Sequence, residues 1–352
     1  MSSPIRVPAD ELRLLSRQAL EKFGLRRKDA KVAADVLVEA DLLGIETHGT
    51  KRLRAYVERI LRGGVNTTPT ITVTEKSPAL AIVDGDGALG PVVGTLALNE
   101  AMNRARDGGI AYVGCRNSNH FGAMAPYGLW ACRAELISIM GTNASTAMAP
   151  WGARELKMGN NPICFAAPRR DGPHFILDFA QSVAARGKMR VAAERGEAIP
   201  EGWALDAEGN PTTDPDEGLK GFVLPIGEHK GYGLALAVDL LAGVLSGGAF
   251  ADGVASMWGQ ESGPQKVSHF FILIDPDQVL GLDAYYAQIE AFAGRIKGAR
   301  PIDPAKPVLL PGEIEAKAYA EREAEGIPLD GELYGIICAL AKGELRGSVP
   351  TH

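Results

Sequence analysis

Ala79-Leu80-Ala81-Ile82-Val83-Asp84-Gly85-Asp86-Gly87-Ala88-Leu89-Gly90-Pro91 reads as a short apolar strand, a glycine turn and the Pro-started beginning of a helix. Gly85 to Gly90 has the G-x-G-x-x-G spacing of a dinucleotide-binding turn. Either these glycines cradle a pyrophosphate, which implies a Rossmann sheet, or they only bend a strand into a helix. In the Rossmann arrangement the next strand ends, about 20 residues on, in an acidic residue that holds the ribose. Here the strand Ile110 to Gly114 leads into Cys115-Arg116-Asn117. Arg116 suits a 2′-phosphate, so the Rossmann reading stays open as an alternative. The reading preferred is the turn that needs no ligand.

Upstream of this stretch the pattern is helical. Leu12, Leu15, Ala19 and Phe23 recur at three-to-four spacing before Gly24, a second helix spans Asp29 to Leu43 with Gly44 as its C-cap, and a third runs from about Thr50 to Leu61. The first 65 residues or so are expected to be a helical unit with no strand of its own. At Thr70 the period changes, and strands and helices then alternate: strands at Ile71 to Val83, Ile110 to Gly114, Leu136 to Gly141, Ile163 to Ala166, Phe175 to Phe179 and Phe270 to Ile274, with helices at Pro91 to Arg106, Ala125 to Ala134 and Gly231 to Leu245. Ala204 to Gly218 reads as surface loop. Helical patterning resumes at Tyr285 to Lys297, Pro311 to Glu325 and Asp330 to Lys342, so the two chain ends are expected to pack together.

Length and composition bound the function. The 352 residues suffice for two domains, and 46% apolar with 23% charged residues is globular. A formal net charge of −6 offers no attraction to nucleic acid or anionic lipid. Cys115, Cys132, Cys164 and Cys338 lie apart, beside apolar runs, and read as reduced thiols of a cytoplasmic protein. Met1 to Arg13 has no apolar centre of the signal-peptide kind, and the longest apolar run, Tyr232 to Leu245, contains Asp239 and is too short for a membrane span, so it reads as a core helix. No His/Cys/Asp cluster has metal spacing, and no Gly-x-Ser-x-Gly elbow marks a hydrolase.

Three stretches hold chemistry. Thr47-His48-Gly49 opens a helix on which Arg52 and Tyr56 follow at i+4 and i+8 from His48, placing an imidazole, a carboxylate-type guanidinium and a phenol on one face. Asn117-Ser118-Asn119-His120-Phe121-Gly122 is the densest polar cluster and follows a buried strand, where α/β folds seat ligands. Gly141-Thr142-Asn143-Ala144-Ser145 follows the next strand in parallel. Lys188 and Lys230 each adjoin a glycine, and Lys230 opens the long apolar helix, a plausible phosphate seat. His174, His269 and His352 lack partners at ligand spacing and read as structural or exposed.

Together, these motifs with Ala149-Pro150-Trp151-Gly152, Asn161-Pro162, Asp178-Phe179-Ala180-Gln181-Ser182, Gly202-Trp203-Ala204 with Asp206, and Lys230-Gly231-Tyr232-Gly233-Leu234 resemble the type 2 malate/L-lactate dehydrogenase family from end to end. The resemblance implies a non-Rossmann α/β (α+β) fold with a largely antiparallel sheet flanked by helices. It also implies a helical dimerisation domain built from residues 1–70 and 283–352 around a cofactor- and substrate-binding core of 71–282, and a homodimer. The implied activity is NAD- or NADP-dependent hydride transfer to or from C2 of a small 2-hydroxy or 2-oxo acid. His120 and His48 become the acid/base candidates, with His120 preferred, while Arg52, Tyr56 and Thr47 bind substrate. Asn143, Asp178, Phe179, Ala180, Lys230, Pro311, Gly312 and Glu313 become cofactor contacts. Cyclic imino acid reduction, and cofactor binding without turnover, are the alternatives. The chain departs from the family pattern at Thr47, where Ser is usual, at Asn160, where Thr is usual, and at Glu228-His229, where Gly-Tyr is usual.

Overall fold

The computed structural model describes residues 4–257 and 263–345. His352 lies outside them. In chain order the elements are β1 (Ile5–Val7), α1 (Ala9–Lys22), α2 (Arg27–Leu42), α3 (Leu53–Leu61), β2 (Thr72–Ser77), β3 (Leu80–Asp84), α4 (Gly90–Gly108), β4 (Ile110–Ser118), α5 (Ala125–Arg133), β5 (Ile137–Thr142), β6 (Ile163–Ala167) and β7 (Phe175–Phe179). They continue with α6 (Arg186–Arg195), β8 (Ala204–Leu205), β9 (Pro211–Thr212), α7 (Pro215–Lys220), β10 (Phe222–Val223), α8 (His229–Asp239), β11 (Val267–Ile274), α9 (Pro276–Leu280), α10 (Leu282–Lys297), α11 (Glu313–Glu325), β12 (Ile327–Leu329) and α12 (Gly331–Ala341).

Seven strands form the central sheet in the order β2-β3-β4-β11-β5-β6-β7. Only β3 and β4 run parallel, joined by α4; every other pairing is antiparallel. The largely antiparallel, non-Rossmann expectation is thus what the chain forms. The glycine turn explains itself: Gly85 N donates to Arg116 O at 2.9 Å and Gly87 N to Asn117 O at 2.8 Å, so these amides are spent on the end of β4. Gly87 needs its φ of +72°, and a Cβ on Gly90 would lie 2.2 Å from His120 O. The glycines let the start of α4 press against the segment that holds His120.

One sheet face packs under α4 and α5, where Val93, Ala97, Leu98 and Tyr127 share a core with Val113, Phe271 and Leu273. On the other face Val238 and Ala242 meet Phe270 and Ile163. A second core unites the chain ends: Leu12, Leu20, Leu37, Leu53, Val57, Ile337 and Leu340 are buried together, each side chain contributing about 1.5–3 kcal/mol. Buried Glu39 on α2 bonds Arg133 of α5 at 2.9 Å and Arg13 of α1 at 3.3 Å, fastening this helical unit to the sheet. α10 instead docks on the core, through Arg169 to Glu290 at 2.7 Å and Tyr285 Oη to Pro168 O.

Several local expectations are corrected. The N-terminal unit does contain a strand, β1, which pairs antiparallel with β12; a three-residue strand has no period to read. β4 continues to Ser118, so Asn117 and Ser118 end a strand rather than start a loop. Ala204 to Gly218 is ordered: β8, β9 and β10 form a small sheet that packs with α6 and α7 around Met189, Ile199, Ala204 and Val223. The Tyr232 to Leu245 run is buried on one side only. After Asp239 it continues as a π-helical turn over Leu240–Val244, and Leu240 and Leu245 stay 57% and 58% exposed.

Candidate active site

His48 lies in a 3-10 turn (Glu46–His48) and Arg52 in the next (Thr50–Arg52), just before α3. What holds this corner is Asp41 of α2, a residue without motif status in the sequence. Its buried Oδ2 accepts Thr50 N at 2.9 Å and Thr50 Oγ1 at 2.6 Å. Gly49 must be glycine, because a Cβ there would lie 1.7 Å from Asp41 Oδ1. Thr47 Oγ1 sits 3.0 Å from His48 Nδ1, and Arg52 Nε donates to Thr47 O at 2.6 Å.

His120 meets this corner from the end of β4. Its ring stacks on His48, with centroids 5.7 Å apart and planes 18° apart, and its Nδ1 lies 2.9 Å from the hydroxyl of buried Tyr56. Its backbone N donates to Gln265 Oε1 at 2.9 Å, and Asn119 donates to Gly87 O and Ala88 O, so both sides of the segment are tied. The structure therefore gathers Thr47, His48, Arg52, Tyr56 and His120, although 64 residues separate Tyr56 from His120.

Burial is the chief cause of the electrostatics here. It pushes His48 down to about 4, helped by Arg52. It holds His120 well below the usual imidazole range, followed by the charges of His48, Arg52 and His269. Both imidazoles are neutral at pH 7. Burial also pushes Asp41 up to about 7 against its Thr50 bonds. Because the folded value exceeds the unfolded one of 3.8, Asp41 contributes stability in full below about pH 4 and loses it as pH rises through 7. His48 works in the opposite sense, its contribution being lost as pH falls from 6.5 toward 4. The expected result is that Asp41→Asn flattens the decline in melting temperature between about pH 4 and 7. An unchanged slope in a thermal melt series would rule out this account.

The other candidates fall into three places. Asp178 at the end of β7 accepts Met124 N at 2.8 Å and Ala125 N at 2.9 Å, clamping the start of α5 four residues after His120; burial raises it to about 6 against those two bonds. Pro311 O accepts Ile176 N, and Gly312, at φ +95°, passes so close that a Cβ would lie 2.5 Å from His174 O. Glu313 bonds Lys297 and Leu310 N. The 311–313 segment thus runs beside the start of β7, at His174 and Ile176, while Asp178, Phe179 and Ala180 lie at the strand's other end.

Asn143 is fully engaged: its amide donates to Asp239 and Ala249 O and accepts from Ser268 N, which makes its side chain a brace between β5, α8 and β11. His269 is likewise structural, buried between Thr142 Oγ1 and Ser118 Oγ.

Beyond β7, Gln181 is buried with both side-chain polar atoms unpartnered among the described residues. Its carbonyl accepts Ile226 N, which ties it to the turn preceding α8, where exposed Lys230 stands at the helix N-terminus. Glu228 in that turn adopts φ +58° and ψ −126°, a region that favours glycine, so the departure noted at this position is strained by about 1–3 kcal/mol. The N–H groups of Lys230, Gly231 and Tyr232 are taken by Gly227 O, Ile226 O and Glu228 O, so what fits a nucleotide cofactor here is the unsatisfied Gln181 amide and the Lys230 ammonium.

Comparison with known proteins gives the family. The family model described as malate/L-lactate dehydrogenase matches residues 7–337. The chain belongs to the malate/L-lactate dehydrogenase family. Among curated members, the malate dehydrogenase of Pyrococcus horikoshii is 41% identical over 333 residues, covering 92% of this chain and 91% of that one. The solved sulfolactate dehydrogenase of Methanocaldococcus jannaschii superposes with a TM-score of 0.88 at 36% identity, over 96% of this chain and 97% of that one. The delta1-piperideine-2-carboxylate reductase of Pseudomonas syringae reaches 0.87 at 28% identity, over 96% and 99%. As a member of this family, the chain is an oxidoreductase.

Proposed function

We propose that this dehydrogenase transfers a hydride between NAD or NADP and C2 of a small 2-hydroxy or 2-oxo acid of the malate, lactate or sulfolactate kind, with His120 as proton donor and acceptor and Arg52 binding the carboxylate. The observation that supports it is the pairing of Tyr56 Oη with His120 Nδ1 in a corner shared with His48 and Arg52. With Nδ1 engaged, Nε2 is the atom left to meet the substrate oxygen. The Tyr56 hydroxyl can donate to Nδ1 or accept from it, so Nε2 can be presented with or without its proton. Kept neutral at rest, His120 accepts the alcohol proton in oxidation. Once charged, its depressed affinity makes it a ready donor to the developing alkoxide in reduction. Lys230 and Gln181 would hold the cofactor beside Phe179 and Ala180, with Asp178 at the end of β7 and the 311–313 segment along its start. Bound there, the nicotinamide supplies the hydride.

The exposed apolar stripe of Leu234, Leu240, Val244, Leu245 and Phe250 suits a second copy of this chain, so a homodimer belongs to the same reading. The helical unit of both chain ends is the other surface proposed for it. Buried free thiols at Cys115, Cys132 and Cys164 suit a reducing cytoplasm.

The test is purified protein with NADH or NADPH and a panel of 2-oxo acids, followed by loss of the reduced nicotinamide absorbance and by light scattering for a mass twice 37.2 kDa. Turnover of cyclic imines alone would favour the second reading, which the likeness to the piperideine-carboxylate reductase supports. Cofactor binding without any turnover would overturn both.

A further inference from the structure

The end of β4 is bulged. Cys115 pairs with His269 of β11, yet Ser118 pairs with Val267, so Arg116 and Asn117 together stand opposite Ser268. Asn117 takes the extra step in the left-handed region, at φ +53°. In an unbulged ladder Asn117 would pair with Val267, and Ser118 would point to the other side of the sheet. The bulge turns Ser118 onto the face of His269, where its Oγ lies 2.9 Å from His269 Nε2. Both side chains are fully buried. On the β5 side, His269 Nδ1 lies 2.7 Å from Thr142 Oγ1. The Thr142 hydroxyl has two carbonyls for its proton, Asn143 O at 2.9 Å and Ser268 O at 3.2 Å. It therefore accepts from His269 Nδ1–H, and Nε2 is left to accept the Ser118 proton. Phe121 stacks on the same imidazole, with centroids 4.2 Å apart and planes 23° apart. Ser118 and Phe121 thus both grip His269, while His120 between them turns to Tyr56 and His48.

We propose that His269 is a positioning residue for the reaction: by accepting the Ser118 hydroxyl proton it locks the bulged register of β4, and this lock aims the His120 ring at the substrate. The inference rests on His120 being the acid/base of the reading above. A one-residue change of register carries the following side chains to the opposite face of a sheet, so the bulge decides which way His120 looks. Asp84 holds the Asn117 amide on the β3 side of the bulge, and His269 holds Ser118 on the β11 side. Burial pushes His269 down to about 3, so the ring stays neutral and keeps both bonds around pH 7. A displacement of about 1 Å at a reacting group costs on the order of 10²-fold in rate, which is why a bond two residues away can matter to turnover.

The test is Ser118→Ala, which removes the hydroxyl and little volume, made alone and together with His120→Gln. Alone it is expected to lower kcat by about tenfold or more, while the Kd of reduced cofactor, read by nicotinamide fluorescence, stays put. In the His120→Gln background it should lower kcat no further, because a residue that only aims His120 then has nothing left to aim. His269→Gln, whose amide can still accept from Ser118, should keep more of kcat than His269→Leu, and the reverse order overturns the inference. A Ser118→Ala protein that melts as a folded chain and turns over at the wild-type rate also overturns it and leaves the dehydrogenase reading intact. So does an equal loss in both backgrounds, since the hydroxyl would then act on something other than His120. A His120→Gln enzyme with wild-type kcat ends the reading and the inference together.

Discussion

His120→Gln is expected to lower kcat by about 10²- to 10⁴-fold, the usual worth of a positioned acid/base group, while the protein still binds reduced cofactor. The expectation follows from where the ring stands. Tyr56 fixes one ring nitrogen at 2.9 Å, Gln265 holds the backbone at 2.9 Å, and Asp178 pins the chain four residues on. His48, whose Nδ1 bonds Thr47 of its own turn, stacks on His120 and adds its charge to the forces keeping it neutral. His48→Gln should therefore cost less in kcat than His120→Gln and should raise the apparent acid inflection of the kcat/KM profile, since a neighbour that turns cationic in acid is removed. Steady-state kinetics against pH on both variants decides between them. If His48→Gln is the more damaging, the two roles are exchanged; if neither matters, the proton travels by another route.

Gly90→Ala is expected to cost about 3 kcal/mol or more and to abolish most activity, because its Cβ would stand 2.2 Å from His120 O and 2.4 Å from Asn119 O. Those atoms are backbone and cannot swing aside. The shift would pass to His120 itself, so melting temperature and kcat should fall together. A phosphate-binding glycine turn makes the opposite forecast: a folded protein with near-normal melting and a lost affinity for cofactor. Thermal denaturation and cofactor titration of one variant separate the two, and the second pattern would reinstate the dinucleotide fingerprint.

Much of the site was legible because its residues are chemically unusual for their surroundings. His48, Arg52 and Tyr56 stand at helical spacing, so one short stretch already put an imidazole, a guanidinium and a phenol on a common face. Asp41 was not legible. It is one acid among many on α2, and only its 2.6 Å bond to Thr50 and its contact with Gly49 show that it builds the corner. Asn143 looked like a ligand donor because it follows a strand, yet its amide is consumed by Asp239, Ala249 and Ser268. A sequence displays donors and acceptors without showing which are already taken.

What the sequence determined alone is local and periodic: the helices of both ends, most strands of the core, and the family by its spaced motifs. Hydrophobic period and glycine or proline punctuation act over a few residues, so they can be read in one dimension. Tertiary structure decided the strand order, with β11 inserted between β4 and β5, the β1–β12 pairing of the two ends, the ordered small lobe, and the meeting of Tyr56 with His120. Each of these is a contact between residues far apart in the chain, and its energy exists only once the intervening segments have folded around it.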